Sequence, residues 1–588
     1  MMDDYMAQAL NIFSEGAYRT ARSQPSLNNP KLMRLQISKI MMDSFDDALE
    51  TLGGALQRLR SDRARRHNTL LPVSHLPNDL LIEIFAFASK MEVRSVWLGY
   101  SGRTRMLTTL AFVCYEWREI VHTTPSLWAY INSYDPQRAI LECLASEGQA
   151  PLHIFFDNFI VVYAEFKTQI LQEVHRWKSV MIYGMTREFL EELEQQSAPL
   201  LGNLDVRGEL GMYEGIYNLF CGSASRLRHL TLEKISIPWE SNLLSGLRTL
   251  VINHSETGPS MQQIVHILQS CPDLTVFRLQ LPLGLHPGPI PREVLTIELP
   301  RLECLNLVVH PLMTEYLLQR MHIPSCKIFD VEQIGATKPI FSAATMHLIP
   351  ILSSILLAAS RVDICIDSTL HYDAAAKIDE EEDDEGEDED EEQDEENDGR
   401  LLRRIHIRVE DDQDTGGFAL ETLSWLLANV HTPEFSSPVS LCIDDITSPH
   451  ASIPIIDRLF SVTTDLIISL NDTSSAKIIV SYLAEPLEVV VDGTTTFRWP
   501  LPSVTHLSFE YRHSNLKPKV IMRCVQRRVG RGSFSIQRGE GEGLPARLIK
   551  LRLPRSSLAA GVMQIFPGCK EWGGLELGSE DEEDEEEE

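Results

Sequence analysis

The stretch LRHLTLEKISIPWESNLLSGLRTLVI, residues 227–252, holds one short pattern twice: Leu227/Leu230/Leu232 and then Leu247/Leu250/Ile252. The same L-x-x-L-x-L frame extends in both directions. It recurs at Trp177/Val180/Ile182, Leu201/Leu204/Val206, Leu274/Phe277/Leu279 and Leu302/Leu305/Leu307, with starts 24, 26, 20, 27 and 28 residues apart. Helix-like stretches fill several gaps, among them TREFLEELEQQ at 186–196 and MQQIVHILQSC at 261–271. Each unit therefore reads as strand, turn, helix and return. One such unit cannot bury its own strand, whereas stacked units share a continuous core and line a concave face with a parallel sheet.

The period is similar to that of leucine-rich repeats, roughly 20–29 residues. The frame continues less regularly at Cys326/Phe329/Val331, Ile364/Ile366, Leu402/Ile405/Ile407, Leu441/Ile443, Leu466/Ile468, Val489/Val491, Val504/Leu507/Phe509 and Leu548/Leu551/Leu553. Ile366 and Ile405 are 39 residues apart, and without the acidic run of 20 between them the spacing falls to 19, so that run reads as a loop inserted between stacked units. Three residues after each strand, where the repeat family carries Asn or Cys, this chain has Met185, Glu209, Ile235, Ser255 and Pro282. The expectation is an α/β chain with an irregular leucine-rich-repeat-like solenoid over 150–570. A two-layer α/β body of another kind competes with it.

Over 588 residues the net charge is −31, but the run 379–398 holds 17 carboxylates and the tail 580–588 holds nine. The remainder is only mildly acidic. Blocks of like charge repel and stay solvated, which predicts a disordered acidic loop and a disordered tail from about 579. They act as solubilising segments or, in a sharper reading, dock a basic partner such as histone tails. Lys517, Lys519, Arg523, Arg527, Arg528, Arg531 and Arg538 make a basic segment with no acid among them. It reads as an exposed face, with a site for phosphate or acidic cargo as the alternative. The ten cysteines form no CxxC pair, and MMDDYMAQAL carries acids where a secretory signal has bases. The stretch LIPILSSILLAAS at 348–360 is too short to span a bilayer and reads as core. A cytoplasmic or nuclear protein without membrane contact is expected.

After a flexible N-terminus over 1–30, the segment 31–70 reads as an amphipathic helix. Leu35, Ser38, Met42, Phe45, Leu49, Leu52, Leu56 and Leu59 step by three and four, interrupted by Gly53-Gly54. Packing on its own domain is the favoured reading and a short dimerising coil the other. Arg58, Arg60, Arg63, Arg65 and Arg66 gather at its C-terminal end, where cations suit the helix dipole. Without interleaved aromatics they weigh against a nucleic-acid site. Next, LPNDLLIEIFAFASK at 76–90 places Leu80, Leu81, Ile84, Phe85 and Ala88 at helical spacing behind Pro77. A second helix is expected to carry Leu110, Val113, Cys114, Trp117 and Val121, after a polar loop MEVRSVWLGYSGRTRM at 91–106, and PSLWAYI adds Trp128.

This order of residues resembles the F-box: Leu76-Pro77, Asp79, Leu80-Leu81, Ile84-Phe85, Leu110, Val113-Cys114, Trp117 and Leu127-Trp128. The resemblance covers 71–131, and the PVSHLPNDLLIEIF opening is also similar to the F-box-like family of mushroom-forming fungi. It implies a helical F-box that docks the adaptor of a cullin–RING ubiquitin ligase through Leu76, Pro77, Leu80, Leu81, Ile84, Phe85, Leu110, Val113, Cys114 and Trp117. The repeat body would then hold an unknown protein substrate. Catalytic residues, metal ligands and cofactors are not expected. There is no GxxxxGK[ST], HExxH or GxSxG, and the glycine runs GRGSFS and GEGEG lack nucleotide-loop spacing. The competing function is a non-catalytic repeat scaffold or histone-chaperone-like binder working through its acidic segments.

Overall fold

The computed structural model describes residues 30–91, 102–133, 150–157, 164–184, 187–208, 215–255, 257–282, 296–336, 338–366, 369–376, 403–411, 417–431, 437–443, 463–469, 480–484, 487–491, 494–498, 503–510, 550–553, 571–572 and 575–579, with a few single positions besides. The acidic runs 379–398 and 580–588, the basic segment 517–538 and almost all of 1–29 lie outside the described residues. The chain divides into two units, Met1–Phe155 and Phe156–Glu588.

The first unit is mainly helical. Helix α1 spans Pro30–Asn68, α2 Asn78–Met91, α3 Gly102–Val113 and α4 Tyr115–Thr123. Strand β1 (Tyr130–Asn132) pairs in parallel with β2 (Leu152–Asp157), Ile131 lying opposite Ile154. Two expectations are corrected. The stretch 91–106 is not one loop, because α2 includes Met91 and α3 begins at Gly102. Nor is there one helix from Leu110 to Val121, since the backbone turns extended at Cys114 (φ −154°, ψ 173°) and a new helix starts. The break is capped from both sides. Cys114 Sγ accepts the N–H of Trp117 at 3.4 Å, and Arg118 Nε donates to the carbonyl of Ala111 at 3.0 Å, one of the orphan acceptors at the end of α3.

In the second unit the apolar frame becomes strands: β3 Trp177–Tyr183, β4 Asn203–Arg207, β5 His229–Glu233, β6 Thr249–Asn253, β7 Val276–Gln280, β8 Cys304–Val308 and β9 Ile328–Ala336. They pair in parallel, in sequence order, with the frame residues side by side: Leu204, Leu230, Leu250, Phe277 and Leu305 share one row. Those side chains are buried, and so are Leu232, Ile252, Leu279 and Leu307 in the next row of the same face. Helices α5 (Ala164–Gln172), α6 (Arg187–Leu193), α7 (Met261–Gln269) and α8 (Pro311–Leu318) sit in the returns. The N-terminus of α7 carries a capping box in which Ser260 and Gln263 satisfy each other's orphan donors.

Neighbouring strands are also tied together at their exits. Gly184, Lys234 and His254 each follow a strand with positive φ (61°, 57° and 51°), and their N–H groups reach the terminal carbonyls of the next strand, on Arg207, Asn253 and Gln280. Only glycine adopts this geometry freely, at ~1 kcal/mol less than Lys234 or His254. In place of an Asn ladder, buried Ser236 and Ser255 pair through their hydroxyls at 2.7 Å.

Sequence order and spatial order part after β9. The next strands are β10 (Arg361–Ile366), β11 (Thr369–Ala375), β12 (Arg404–Asp411) and β13 (Val439–Ile443). It is β12 that pairs with β9, while β11 lies antiparallel between β12 and β10, and β13 pairs with β10. Helices α9 (Ile349–Ala358) and α10 (Gly417–Asn429) both pack over β11 and β12. The acidic run therefore joins two antiparallel neighbours. It does not separate stacked units, and Ile366 and Ile405 stand on strands that do not touch. Parallel order resumes through β13, β14 (Thr463–Ser469), β15 (His506–Glu510), β16 (Lys550–Leu553) and β17 (Leu575–Ser579). Val489 and Val491, expected as a repeat strand, belong to a separate antiparallel hairpin, 487–491 with 494–498.

The molecule is thus an N-terminal helical region followed by a large mixed α/β sheet region, consistent with a solenoid-like architecture. The apolar stretch 348–360 is α9, with Leu352, Ile355 and Leu356 buried as expected of core. Among the described residues, no helix is long and apolar enough to cross a membrane.

Candidate functional site

The helical unit builds its site from one helix with two apolar faces. On α2, Leu81 and Phe85 turn inward to a core with Leu107 and Ala111 of α3, Ile120 and Val121 of α4, and Leu127. Leu110, Trp117 and Trp128 pack against this core half-buried, the Trp117 ring centred 4.9 Å from that of Phe85. Trp128 Nε1 donates to the carbonyl of Val121 at 2.7 Å, satisfying an acceptor left open in the last turn of α4. The residues on either side of 92–101 therefore meet in one core.

The other face of α2 is uncovered. Leu80, Ile84 and Phe87 recur at i, i+4 and i+7 and are 47%, 49% and 66% exposed. Leu76 and Pro77 are exposed just before the helix, and the carbonyl of Pro77 accepts the N–H of Leu81. Val113 is exposed at the end of α3, beside Phe112 and close in sequence to Tyr115, which are exposed too. Cys114 is spent as the cap between helices. The ten expected residues thus divide. Leu81, Phe85, Leu110 and Trp117 build the unit, whereas Leu76, Pro77, Leu80, Ile84 and Val113 are exposed.

Sequence reading missed Phe87, Phe112 and Tyr115. The signal for Phe87 was its position two helical turns beyond Leu80. A cluster of large apolar side chains in water on so small a unit is the signature of a protein-interaction surface. Its base is held to α1, where the Arg65 guanidinium lies 3.5 Å above the ring centroid of Tyr115.

A second surface belongs to the sheet. Opposite its apolar face, one row aligns Asp205, Thr231, Val251, Arg278, Asn306, Asp330, His406, Asp373 and Asp363. Arg404 grips Asp373 with two contacts of 3.2 and 2.7 Å, and Asn306 donates to Asp330 at 2.7 Å. Burial pushes Asp373 up, but His406 and Arg404 outweigh it and hold its pKa below the ordinary carboxylate value. His406, with Nδ1 3.6 Å from Asp373, is raised by that attraction against the opposing effect of burial. Burial raises Asp330, only partly offset by His406 and Asn306. Among the described residues, Asp330, Glu332 and His406 have ligand-type atoms within 4.8 Å of one another. Arg408, 3.9 Å from Glu332, and Arg404 already supply positive charge there. The row is an internally neutralised polar surface, suited to recognition more than to bond chemistry.

No curated protein matches the chain. Residues 73–133 match the F-box-like family. The span takes in the helices and core just described, shifted by two residues toward the C-terminus from the sequence-based limits of 71–131, so the helical unit contains an F-box-like domain, a typically non-catalytic module of protein–protein interaction.

Proposed function

We propose that this protein is the substrate-recognition subunit of a cullin–RING ubiquitin ligase of the SCF type, working in the cytoplasm or nucleus without catalytic residues of its own. The F-box-like domain docks the ligase adaptor, and with it the cullin, through Leu76, Pro77, Leu80, Ile84, Phe87 and Val113. The leucine-rich-repeat-like body holds the protein substrate. The observation that carries this reading is the uncovered apolar face of α2, standing directly above a satisfied core. A folded domain that leaves Leu80, Ile84 and Phe87 in water is shaped for a partner with an apolar groove. Ubiquitin transfer then follows from proximity, because tethering raises the effective concentration of a substrate lysine near the charged conjugating enzyme.

The test is capture of adaptor and cullin by the full-length protein. Leu80→Asp with Ile84→Asp places two charges on the exposed face and leaves Leu81 and Phe85 untouched, so binding is expected to disappear while the melting temperature stays close to wild type. Undiminished capture by that variant overturns the reading. Loss of partners only on deletion of 379–398 and 580–588 favours the acidic-scaffold alternative.

A further inference from the structure

Carboxylates gather where the strand order breaks. On the polar side of the β9–β12 pair, Asp330 lies opposite His406, and Asp373 of β11 flanks His406 on its other side. Glu332 stands two residues beyond Asp330 on the same face, opposite Arg408, and Glu410 follows Arg408 on β12. The arginines do not serve all of these acids. Arg404 is held by Asp373, and Arg408 lies 3.9 Å from Glu332 and 3.9 Å from Glu410, beyond hydrogen-bond range of either. Asp330 accepts from Asn306 through Oδ2, but its Oδ1 is buried with no hydrogen-bond partner among the described residues. A buried carboxylate oxygen left in this way costs desolvation energy that a facing cation offsets.

We infer that Asp330, Glu332 and His406 form a binding site for one divalent transition-metal ion of the zinc type, which clamps β9 to β12. Their ligand atoms lie within 4.8 Å of one another, and His406 Nε2 is 4.0 Å from Glu332 Oε1. Ligands at zinc bond lengths of about 2.1 Å stand roughly 3.4 Å apart around a tetrahedral ion, so side-chain movements of under about 1 Å close the set. The imidazole decides the class of ion. Calcium and magnesium take shells of oxygen, whereas a ring nitrogen beside carboxylates suits zinc and its neighbours. Three protein ligands leave a fourth position to water.

Two neighbours already orient the ligands. Asp373 lies 3.6 Å from His406 Nδ1, and Arg404 fixes Asp373 in turn. A carboxylate at one ring nitrogen sets the tautomer that keeps the other, here Nε2, bare for a metal. Asn306 acts likewise on Asp330, engaging Oδ2 at 2.7 Å and leaving Oδ1. The bridge joins Asp330 and Glu332 to a histidine that lies beyond the acidic run in sequence, at the junction where β12 rather than β10 pairs with β9. Binding energy there becomes stability of that junction.

The test is calorimetric titration of the full-length, chelator-stripped protein with zinc chloride, in excess Mg2+ to occupy the all-oxygen acidic runs. One tight zinc per chain is expected, together with a rise in melting temperature. His406→Ala and Glu332→Gln are each expected to weaken that binding at least about tenfold, and replacement of 379–398 by a Gly/Ser linker to leave it unchanged. Melts without metal show that each variant folds; if His406→Ala does not, Glu332→Gln, whose side chain is partly exposed, decides. Cobalt(II) in place of zinc reads the donors, and visible bands without a near-ultraviolet sulfur-to-metal band are expected. No tight zinc, an affinity indifferent to the folded substitutions, or a cobalt–sulfur band overturns the proposal.

Discussion

Ile84 and Phe85 are adjacent in the chain and opposite in surroundings. Phe85 is fully buried against Trp117, and Ile84 faces water. Phe85→Ala is expected to cost about 3–5 kcal/mol of stability, and Ile84→Ala to stay within about 0.5 kcal/mol, as read from denaturant midpoints. Sequence alone named both residues but not their sides, because apolar residues cover most of the helix around the narrow stripe of Asp79 and Glu83 and do not say which part of that surface meets the core. The division emerges only when α3 and α4 pack on α2. A second residue-scale consequence concerns His431, half-buried and bonded through Nε2 to the Tyr372 hydroxyl at 2.9 Å. Burial lowers its pKa to about 4. The unfolded chain, with an ordinary value of about 6.5, binds this proton first as pH falls, so the native state loses roughly 3 kcal/mol between those limits and nothing above them. Thermal melts between pH 7 and 4 should show that loss, and His431→Gln should flatten it.

At the scale of elements, the strands β3 to β9 of the L-x-x-L-x-L frame were readable because each of them buries the same two positions. β11 was not. Its TLHYDAA buries Leu370, Tyr372 and Ala374 in simple alternation, without the leading apolar residue of the frame, and it runs against the sheet. The break at Cys114 was hidden for a different reason. The apolar spacing runs unbroken from Leu110 to Val121, while the interruption depends on a weak sulfur cap and on Arg118. The placement of β11 makes the acidic run a hairpin connection, with Ala375 directly opposite Arg404. Replacing 379–398 by a short Gly/Ser linker should therefore leave the fold intact and change stability by less than about 1 kcal/mol, since closure entropy varies slowly with loop length. A denaturant titration that shows loss of the cooperative transition would mean that the run does more than connect two strands.

The molecule as a whole divides into a mainly helical front, Met1–Phe155, and a sheet-rich remainder, Phe156–Glu588. A motif carried by contiguous residues can be read directly, which is why the F-box-like span agrees with the family match to within two residues at each end. A surface assembled from strands far apart in sequence, such as the row from Asp205 to Asp363, needs the register before it exists. The central claim is that the uncovered face of α2 joins this protein to a ligase adaptor. Its most direct measurement is the affinity of the full-length protein for the purified adaptor, by calorimetry, for wild type and for Leu80→Asp with Ile84→Asp. The account predicts saturable binding of one adaptor per chain, lost in the variant while its melting temperature is kept. Equal affinity for the two proteins, or no binding by a folded wild type, would contradict it.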